Sequence, residues 1–564
     1  MSYSVMAINP GHNGSVALTV DGELKFYIEE ERLSRLKYDG NPFRGMLQVL
    51  LNFNIDELVI GGTSNELPVL PWTLEDPYSA LARKFNPQIK VTKMGHVHHL
   101  GHAASAFYGS GFDTAVAVVI DGAGSYVKKS VGEIEVGGFE TESIYKCSYP
   151  NAFETLYKRY SGSSSSYYTD GVHEYDDSVT LTKAYEAVSD YLGFGFIEAG
   201  KTMGLSPYGE NDPNIPKFFI EGKGNKNFLK PHYPAGAFID SDRFSYLKRE
   251  SSATVWHTDP SAITSVEKNI AFSVQREAES QLIDLVKRAI EISGETNVVI
   301  SGGFGLNCVA NFKLAKHFPG IQFYIDPVSH DGGTAIGLAK LAWHVHSNDE
   351  IPHPLTTAYL GTTPDYSHLT YIENTVENIE IIDSTHDQVA SLLVDGAIVS
   401  LFQGLSEAGP RALGNRSILF DPRRSDGKDF VNQVKHREWF RPFAGSVLEE
   451  HSHDWFDLAG LEKSPYMMYA VDVRSEKIHH IPAITHIDGT CRIQTVSSSD
   501  NKHYYDLISA FYTKTGVPIL FNTSFNLAGE PLVETIFDAV STLIRSDIHY
   551  LYLPDVGKLI RKTV

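Results

Sequence analysis

Cysteine is scarce in this chain: Cys147, Cys308 and Cys491 are the three among 564 residues, odd in number and far apart. No disulfide framework and no paired-thiolate metal knuckle can be drawn from them, which points to a reducing compartment. Positive charge is also in deficit, with 48 Lys and Arg against 69 Asp and Glu and a formal net charge of −21. Such a chain disfavours extensive duplex binding through phosphates, although a local basic patch can still engage a nucleotide. Long apolar runs are missing as well, with nothing near the roughly 18 residues of a membrane span. The opening MSYSVMAINPGHNG lacks the basic and then apolar segment of a secretory signal. The expectation is a soluble cytoplasmic protein that does not engage a membrane. Its composition is that of a globular protein, 42% hydrophobic and 21% charged, and its length predicts about two to four domains.

Against this acidic background, residues 401–450 are a local exception. They contain GPRALGNRS, with Arg411 and Arg416, followed by Lys435, Arg437 and Arg441. Glycines let backbone N–H groups approach oxygen atoms closely, and Arg supplies forked donors for phosphate or carboxylate. A solvated basic face is the plainer alternative, and the Gly, Pro and Asn threaded through the cluster argue for an anion site instead.

Taken in order, residues 4–31 read as three strands, Ser4 to Asn9, Ser15 to Val20 and Leu24 to Glu30, the last two joined by an Asp21-Gly22 hairpin turn. Between the first two lies Pro10-Gly11-His12-Asn13-Gly14, a glycine loop at a strand end. Residues 96–102 hold four histidines. Helical spacing places His98 and His102 on one face, able to share a metal, while His96 with His99 and His99 with His102 are also helical neighbours. The apolar strand Thr114 to Ile120 ends in Asp121-Gly122-Ala123-Gly124, which taken alone reads equally as a tight turn or as a loop that meets a ligand. Residues 150–178 interleave tyrosines with serines, which reads as a mobile loop, with Ser161 to Tyr175 a cover for an acceptor entrance. Helical periodicity runs from 262 to 293. A strand from Asn297 to Ile300 then meets Ser301-Gly302-Gly303, and a strand from Ile321 to Ile325 meets Ser329-His330-Asp331-Gly332-Gly333. Two glycine loops that each open a helix point backbone donors and positive helix ends to one crevice, a phosphate site. The polar, Pro-rich stretch 344–364 marks a boundary between domains 1–350 and 360–564.

These motifs together resemble the NodU/CmcH type of O-carbamoyltransferase, over residues from about 5 to about 560. GPRALGNRS, NTSFN at 522–526, EAGKTMGLSPYG at 198–209, SGGFGLNCVAN at 301–311 and EERLSRLK at 30–37 carry the resemblance. It implies an α/β chain: an actin-like ATPase (ASKHA) N-terminal domain followed by a YrdC-like α/β C-terminal domain. It selects His98 and His102, with Asp121 and Asp331, as ligands of Fe(II) or another divalent metal such as Mn or Zn. It makes His12 a catalytic base or acceptor-orienting group, and it places Lys201, Met203, Gly204, Gly302, Gly303 and Asn307 on the nucleotide part of an intermediate. In the C-terminal domain it assigns carbamoyl phosphate and ATP, with Mg, to Arg411, Arg416, Lys435, Arg441, Arg492, Asn522 and Ser524. The implied reaction forms carbamoyl-adenylate there and transfers the carbamoyl group to an acceptor hydroxyl in the N-terminal domain. The acceptor expected first is a small molecule or sugar, and the second a 5-hydroxymethylpyrimidine, the one case in which DNA is a partner. A homodimer is the expected assembly. Two rivals stand beside this reading. A stand-alone actin-like ATPase or kinase leaves the basic C-terminal region without a role, and a non-catalytic tRNA- or DNA-binding module is opposed by net acidity.

Overall fold

The structure is a computed structural model that describes residues 2–71, 74–162, 167–219, 228–232, 236–240 and 262–563. These fall into two compact units, one built from residues up to Thr356 and the other from Thr357 onward together with Arg35–Lys37. Among the described residues no helix is long and apolar enough to cross a membrane.

The first unit repeats one topology twice. In its first sheet, strand Ser4–Asn9 pairs antiparallel with Ser15–Val20, which pairs antiparallel with Glu23–Glu29. On its other side Ser4–Asn9 is joined in parallel by Glu57–Ile60 and then Lys90–Lys93. Asp21 and Gly22 close the hairpin between Ser15–Val20 and Glu23–Glu29 with φ of 48° and 83°, the two positive values that a primed turn requires. The second sheet follows the same plan. Strand Thr114–Ile120 is flanked antiparallel by Ile134–Ser148 and then Ala152–Gly162, and in parallel by Asn297–Ser301 and then Gln322–Ile325. Two sheets with this third-second-first-fourth-fifth order are what the actin-like fold consists of. Buried residues such as Met6, Ile8, Val16, Leu18 and Leu58 fill the core of the first half, and Ala103, Phe107, Val119 and Val299 that of the second.

Two helices join the halves. Gly333–Ser347 packs on strands Ser4–Asn9 and Ser15–Val20, His98–Ser110 packs on Asn297–Ser301 and Thr114–Ile120, and the helices pack on each other. Their crossing is close because glycines face there: a Cβ on Gly337 would lie 2.0 Å from the Gly101 carbonyl oxygen. Gly101 sits immediately before His102, and Asp331 precedes the second helix by two residues. The crossing therefore draws two separate stretches of sequence to one place.

The expected mobile loop at 150–178 is corrected for the residues described. Ala152–Gly162 and His173–Asp176 are strands, and Tyr157, Tyr160 and Tyr175 are buried rather than spread over a ligand. Their aromatic side chains fill the sheet face, Tyr160 stacking on Tyr175 at 4.6 Å between ring centroids. Ser163 to Ser166, the core of the proposed cover, lie outside the described residues.

The second unit is built on a ten-stranded mixed sheet. At its centre, strand Ile519–Ser524 lies antiparallel between Arg416–Phe420 and Ala444–Leu448, and Thr490–Val496 runs parallel to Ala444–Leu448. Helix Lys502–Thr515 packs against the sheet. It is capped by the Asn501 side chain at its start and by Gly516, at φ 72°, at its end.

Candidate functional site

In the first unit, His98 and His102 stand one turn apart on their helix, Asp121 follows the last residue of strand Thr114–Ile120, and Asp331 lies in the loop before helix Gly333–Ser347. One ligand atom from each lies within 4.8 Å of the others. His98 Nε2 is 3.2 Å from His102 Nε2, 3.6 Å from Asp121 Oδ2 and 3.6 Å from Asp331 Oδ1, and His102 Nε2 is 3.8 Å from that same oxygen. Donors about 2.1 Å from a common ion lie roughly 3.0 to 3.4 Å apart at right-angle to tetrahedral geometry, so the four groups fit one ion with small adjustments.

The surroundings fix which ring nitrogen faces inward. His98 Nδ1 faces the Gly62 carbonyl oxygen at 3.3 Å, and a carbonyl only accepts, so Nδ1 carries the proton and Nε2 offers a lone pair. Ser301 Oγ donates to Asp326 Oδ2 at 3.1 Å, which leaves its lone pair for His102 Nδ1–H at 3.3 Å. The two Nε2 atoms face each other at hydrogen-bonding distance, so they hold a shared proton or a metal ion between them, and this outer hydrogen bonding is how metal-binding histidines are held. Burial opposes charge on Asp121 and Asp331, and the two imidazoles outweigh it, holding both carboxyls well below the usual carboxylate range. Two nitrogens and two carboxylate oxygens suit Fe(II), Mn or Zn alike. His99 is turned elsewhere: its Nδ1 meets Ser143 Oγ at 2.8 Å, and burial pushes its proton affinity down to about 3.

Of the other expected groups of this unit, the two glycines of the Ser301 turn lie directly against Asp121 and its strand. Gly303 N–H donates to Asp121 Oδ1 at 3.2 Å. Gly302, at φ 91°, passes so close to the strand before Asp121 that a Cβ would lie 2.3 Å from the Ile120 carbonyl oxygen. His12 is exposed in its loop and stacks on Tyr38 with centroids 5.4 Å apart. Tyr38 Oη in turn donates to Glu198 Oε1 at 2.8 Å, which ties the His12 loop to the start of helix Ala199–Leu205. On that helix, Lys201 Nζ lies 3.7 Å from Glu198 Oε2, Met203 Sδ lies 4.0 Å from Cys308 Sγ, and Gly204 is buried. Asn307 is committed within the protein: it caps helix Cys308–His317 and exchanges hydrogen bonds of 3.0 and 3.3 Å with Gln275.

In the second unit the sheet register sets out the polar groups. Leu419, Asn522, Ala444, Arg492 and Ala470 form one row across five strands. Asn522 Nδ2 donates to Ser446 Oγ at 2.9 Å and to the Ala412 carbonyl at 3.2 Å, and Gln494 Nε2 donates to the Leu413 carbonyl at 2.8 Å. The GPRALG loop is thereby strapped over the face that carries Asn522 and Arg492, with Arg411 beside Ala412. Buried Glu407 holds the loop from the other side, its Oε1 accepting from the N–H groups of Leu413, Asn415 and Arg416 at 2.8 to 3.0 Å. Gly414, at φ 105°, leaves no room for a Cβ, which would meet the Tyr504 ring at 2.2 Å.

Lys435 is buried and donates to the Ser524 carbonyl, to Ser524 Oγ at 3.3 Å and to Asn526 Oδ1 at 3.2 Å. Burial, then the guanidinium groups of Arg437 and Arg441, push its proton affinity well below the usual lysine range. Arg437 reaches Thr523 Oγ1 at 3.4 Å, and Arg441 lies 3.6 Å from Glu438. Arg416 behaves differently from Arg411. It is fully buried over the Phe402 ring, and its guanidinium donates to the carbonyls of Gln403, Gly404 and Asn415. Four further residues shape the sites without having been singled out in the sequence: Tyr38, Ser301, Asp326 and Glu407. Ser301 opens the SGGFGLNCVAN motif, Tyr38 directly follows EERLSRLK, and Glu407 stands two residues before GPRALGNRS.

Comparison with known proteins bears on both units. The carbamoyltransferase N-terminus family model matches residues 73–340 and the carbamoyltransferase C-terminus model matches 390–561. Nodulation protein NolNO of Sinorhizobium fredii is 32% identical, over 95% of this chain and 77% of its own length. Nodulation protein NolO of Bradyrhizobium diazoefficiens is 33% identical over 80% of this chain and 76% of its own. The 3'-hydroxymethylcephem-O-carbamoyltransferase of Amycolatopsis lactamdurans is 28% identical over 95% of both chains. With both family models matched in order and relatives aligned over nearly its whole length, this chain belongs to the carbamoyltransferase family, enzymes that transfer a carbamoyl group.

Proposed function

We propose that the two units divide one ATP-dependent O-carbamoyl transfer. The second unit, the YrdC-like part of the sequence reading, hydrolyses carbamoyl phosphate to carbamate and inorganic phosphate, and the carbamate oxygen then attacks the α-phosphorus of ATP to give carbamoyl-adenylate with release of pyrophosphate. The first unit then passes the carbamoyl group to an acceptor hydroxyl. The observation that carries this reading is the contrast between the two sites. One gathers Lys435, Arg437 and Arg441 near the loop of Arg411, and cations are what two polyanions need before they can react. The other gathers two imidazoles and two carboxylates fit for a metal. Arg492, Asn522 and Ser524 belong to the adenylate-forming site in this proposal, and Arg416 serves it by supporting the loop from beneath.

In the first unit, His98, His102, Asp121 and Asp331 would hold the ion, which when bound supplies a Lewis acid for developing negative charge. His12, exposed and aligned by Tyr38, orients the acceptor hydroxyl and takes its proton. The helix of Lys201 and Met203 and the Gly302-Gly303 turn hold the nucleotide part, with Asn307 fixing the helix that follows the turn. A hydroxyl on a small molecule or sugar is the acceptor class favoured, in keeping with the hydroxymethyl group named for the cephem relatives. A 5-hydroxymethylpyrimidine is the second class.

Following pyrophosphate and carbamoylated product side by side tests the division of labour. Arg411→Ala and Arg441→Ala each remove a charge-assisted contact of about 1.5 to 3 kcal/mol, so both outputs should fall about ten- to a hundred-fold at limiting carbamoyl phosphate. His12→Asn should abolish product while carbamoyl-phosphate-dependent pyrophosphate release persists. Normal transfer by His12→Asn, or wild-type pyrophosphate release by Arg411→Ala, would overturn the proposal. Pyrophosphate or phosphate release indifferent to carbamoyl phosphate would favour a plain ATPase.

A further inference from the structure

The first unit holds a second charged pair that the transfer reading leaves unused. Helix Leu181–Tyr191 carries Lys183 and Glu186 one turn apart, with Lys183 Nζ donating to Glu186 Oε2 at 2.7 Å. Both are withdrawn from solvent, their side chains 3% and 15% exposed. The pair lies against the residue after metal ligand Asp121: a Cβ on Gly122 would stand 2.6 Å from Glu186 Oε1 and 3.5 Å from Lys183 Nζ. One turn further along the helix, Ser189 Oγ meets Thr202 Oγ1 at 2.7 Å, which fastens it to the helix of Lys201 and Met203. Glu186 thus stands between the metal-bearing loop and the helix proposed to hold the nucleotide. Its Oε2 is occupied by Lys183, while no protein hydrogen bond reaches its Oε1 among the described residues.

Glu186 Oε1 is not sealed off, so water, or a ligand that donates in its place, can reach it. Burial, joined by the negative charges of Asp121 and Asp331, pushes Glu186 up to about 7 although the Lys183 ammonium pulls the other way, towards the charged, acceptor-only form. The transferred group is chemically two-sided. Its carbonyl oxygen accepts and suits a cation, whereas its –NH2 carries two donors and suits a carboxylate. Asp121 and Gly122, adjacent in the chain, bring these two kinds of partner together.

Resting on the proposed transfer, we propose that Glu186 Oε1 accepts a hydrogen bond from the carbamoyl –NH2, with Lys183 holding the carboxylate in place, so that Glu186 orients the group and selects it over acyl groups without N–H. An acetyl group would set a methyl against this oxygen and leave it unpaired, the arrangement by which a polar site rejects an analogue. Glycine at 122 is required because any side chain there would take the space.

Glu186→Leu keeps the bulk and removes the acceptor, and Glu186→Gln keeps one acceptor oxygen. The expected result is a fall in transfer kcat of about 10- to 100-fold for Glu186→Leu, the loss of one charge-assisted hydrogen bond, with partial recovery in Glu186→Gln. The KM for the acceptor, carbamoyl-phosphate-dependent pyrophosphate release and bound metal per chain should not change. A rise in acceptor KM at constant kcat would overturn the assignment in favour of the acceptor hydroxyl. Loss of metal would overturn it in favour of a support for the Asp121 loop, and transfer within about twofold of wild type would overturn it outright. If wild-type protein itself releases no pyrophosphate on addition of carbamoyl phosphate, the underlying transfer reading fails instead, so the two failures are distinguishable. Should Glu186→Leu not fold, as judged by its melting temperature, Glu186→Gln and Lys183→Met decide: both should lower kcat at unchanged metal content, and wild-type kcat in both would overturn the assignment.

Discussion

Ser301→Ala is the perturbation that most directly tests whether the histidine cluster is built for a metal. Ser301 is buried at a strand end and stands between His102 Nδ1, at 3.3 Å, and Asp326 Oδ2, at 3.1 Å. Its hydroxyl gives its proton to Asp326 and so receives the one on His102, which turns the lone pair of His102 Nε2 towards His98, Asp121 and Asp331. Removing it has two separable effects. Lost hydrogen bonding costs the metal-free fold about 1 kcal/mol. Loss of the outer partner of a metal-binding histidine weakens metal affinity about 10- to 100-fold, or roughly 1.4 to 2.7 kcal/mol. The affinity loss therefore exceeds what the stability loss alone explains, and the comparison separates a metal role from a packing role. The assay is competition with a chromophoric chelator under anaerobic conditions, using Fe(II) and then Zn, alongside urea unfolding of the metal-free protein. Ser301→Thr, which retains the hydroxyl, should bind metal close to wild type. Affinity within twofold of wild type in Ser301→Ala, with the stability loss present, would refute the reasoning.

Three more outcomes are expected. Stripping metal with a chelator should abolish carbamoyl transfer and leave carbamoyl-phosphate-dependent pyrophosphate release in place, with Fe(II), Mn or Zn restoring product on addition. Lys340, buried in helix Gly333–Ser347, is pushed down by burial from 10.5 to about 8. The unfolded chain thus holds this proton more tightly, so its contribution makes stability rise with pH between about 8 and 10.5, and urea midpoints of Lys340→Met should lack that rise. Arg416→Met should lower the melting temperature sharply, since it strands the carbonyls of Gln403, Gly404 and Asn415, while carbamoyl phosphate binding measured well below the transition stays as in wild type. Weakened binding by stable Arg416→Met protein would instead place that guanidinium on the ligand.

What was legible in the sequence was whatever local chemistry decides. The Asp21-Gly22 turn, the three opening strands and the βα units at 297–347 follow from hairpin residues, apolar alternation and glycine loops, and they appear within a residue or two of where the pattern puts them. Spacing alone allowed His96, His98, His99 and His102 to pair in more than one way. The choice falls to contacts far away in the chain: Ser143 takes the ring of His99, while Gly62 and Ser301 orient His98 and His102. Arg411 and Arg416 make the same point in the second unit. They share one motif and one charge, yet Arg416 opens a central strand and turns beneath the loop onto carbonyls and Phe402, whereas Arg411 lies in the loop that Glu407, Asn522 and Gln494 strap over the sheet. Residues 150–178 misled for a related reason, because serine and tyrosine in alternation describe a loop by composition and a strand face by period, and only the presence of Ile134–Ser148 beside them decides which. Glu186 marks the limit of this kind of reading. Nothing around it in LTKAYEAVSDY separates it from an ordinary helical carboxylate paired with a lysine three residues before it. It gains meaning because Gly122, 64 positions away in the sequence, leaves room for its oxygen beside Asp121. A site of this type is composed by sheet order and helix crossing, so its chemistry is legible only after the fold has been assembled around it.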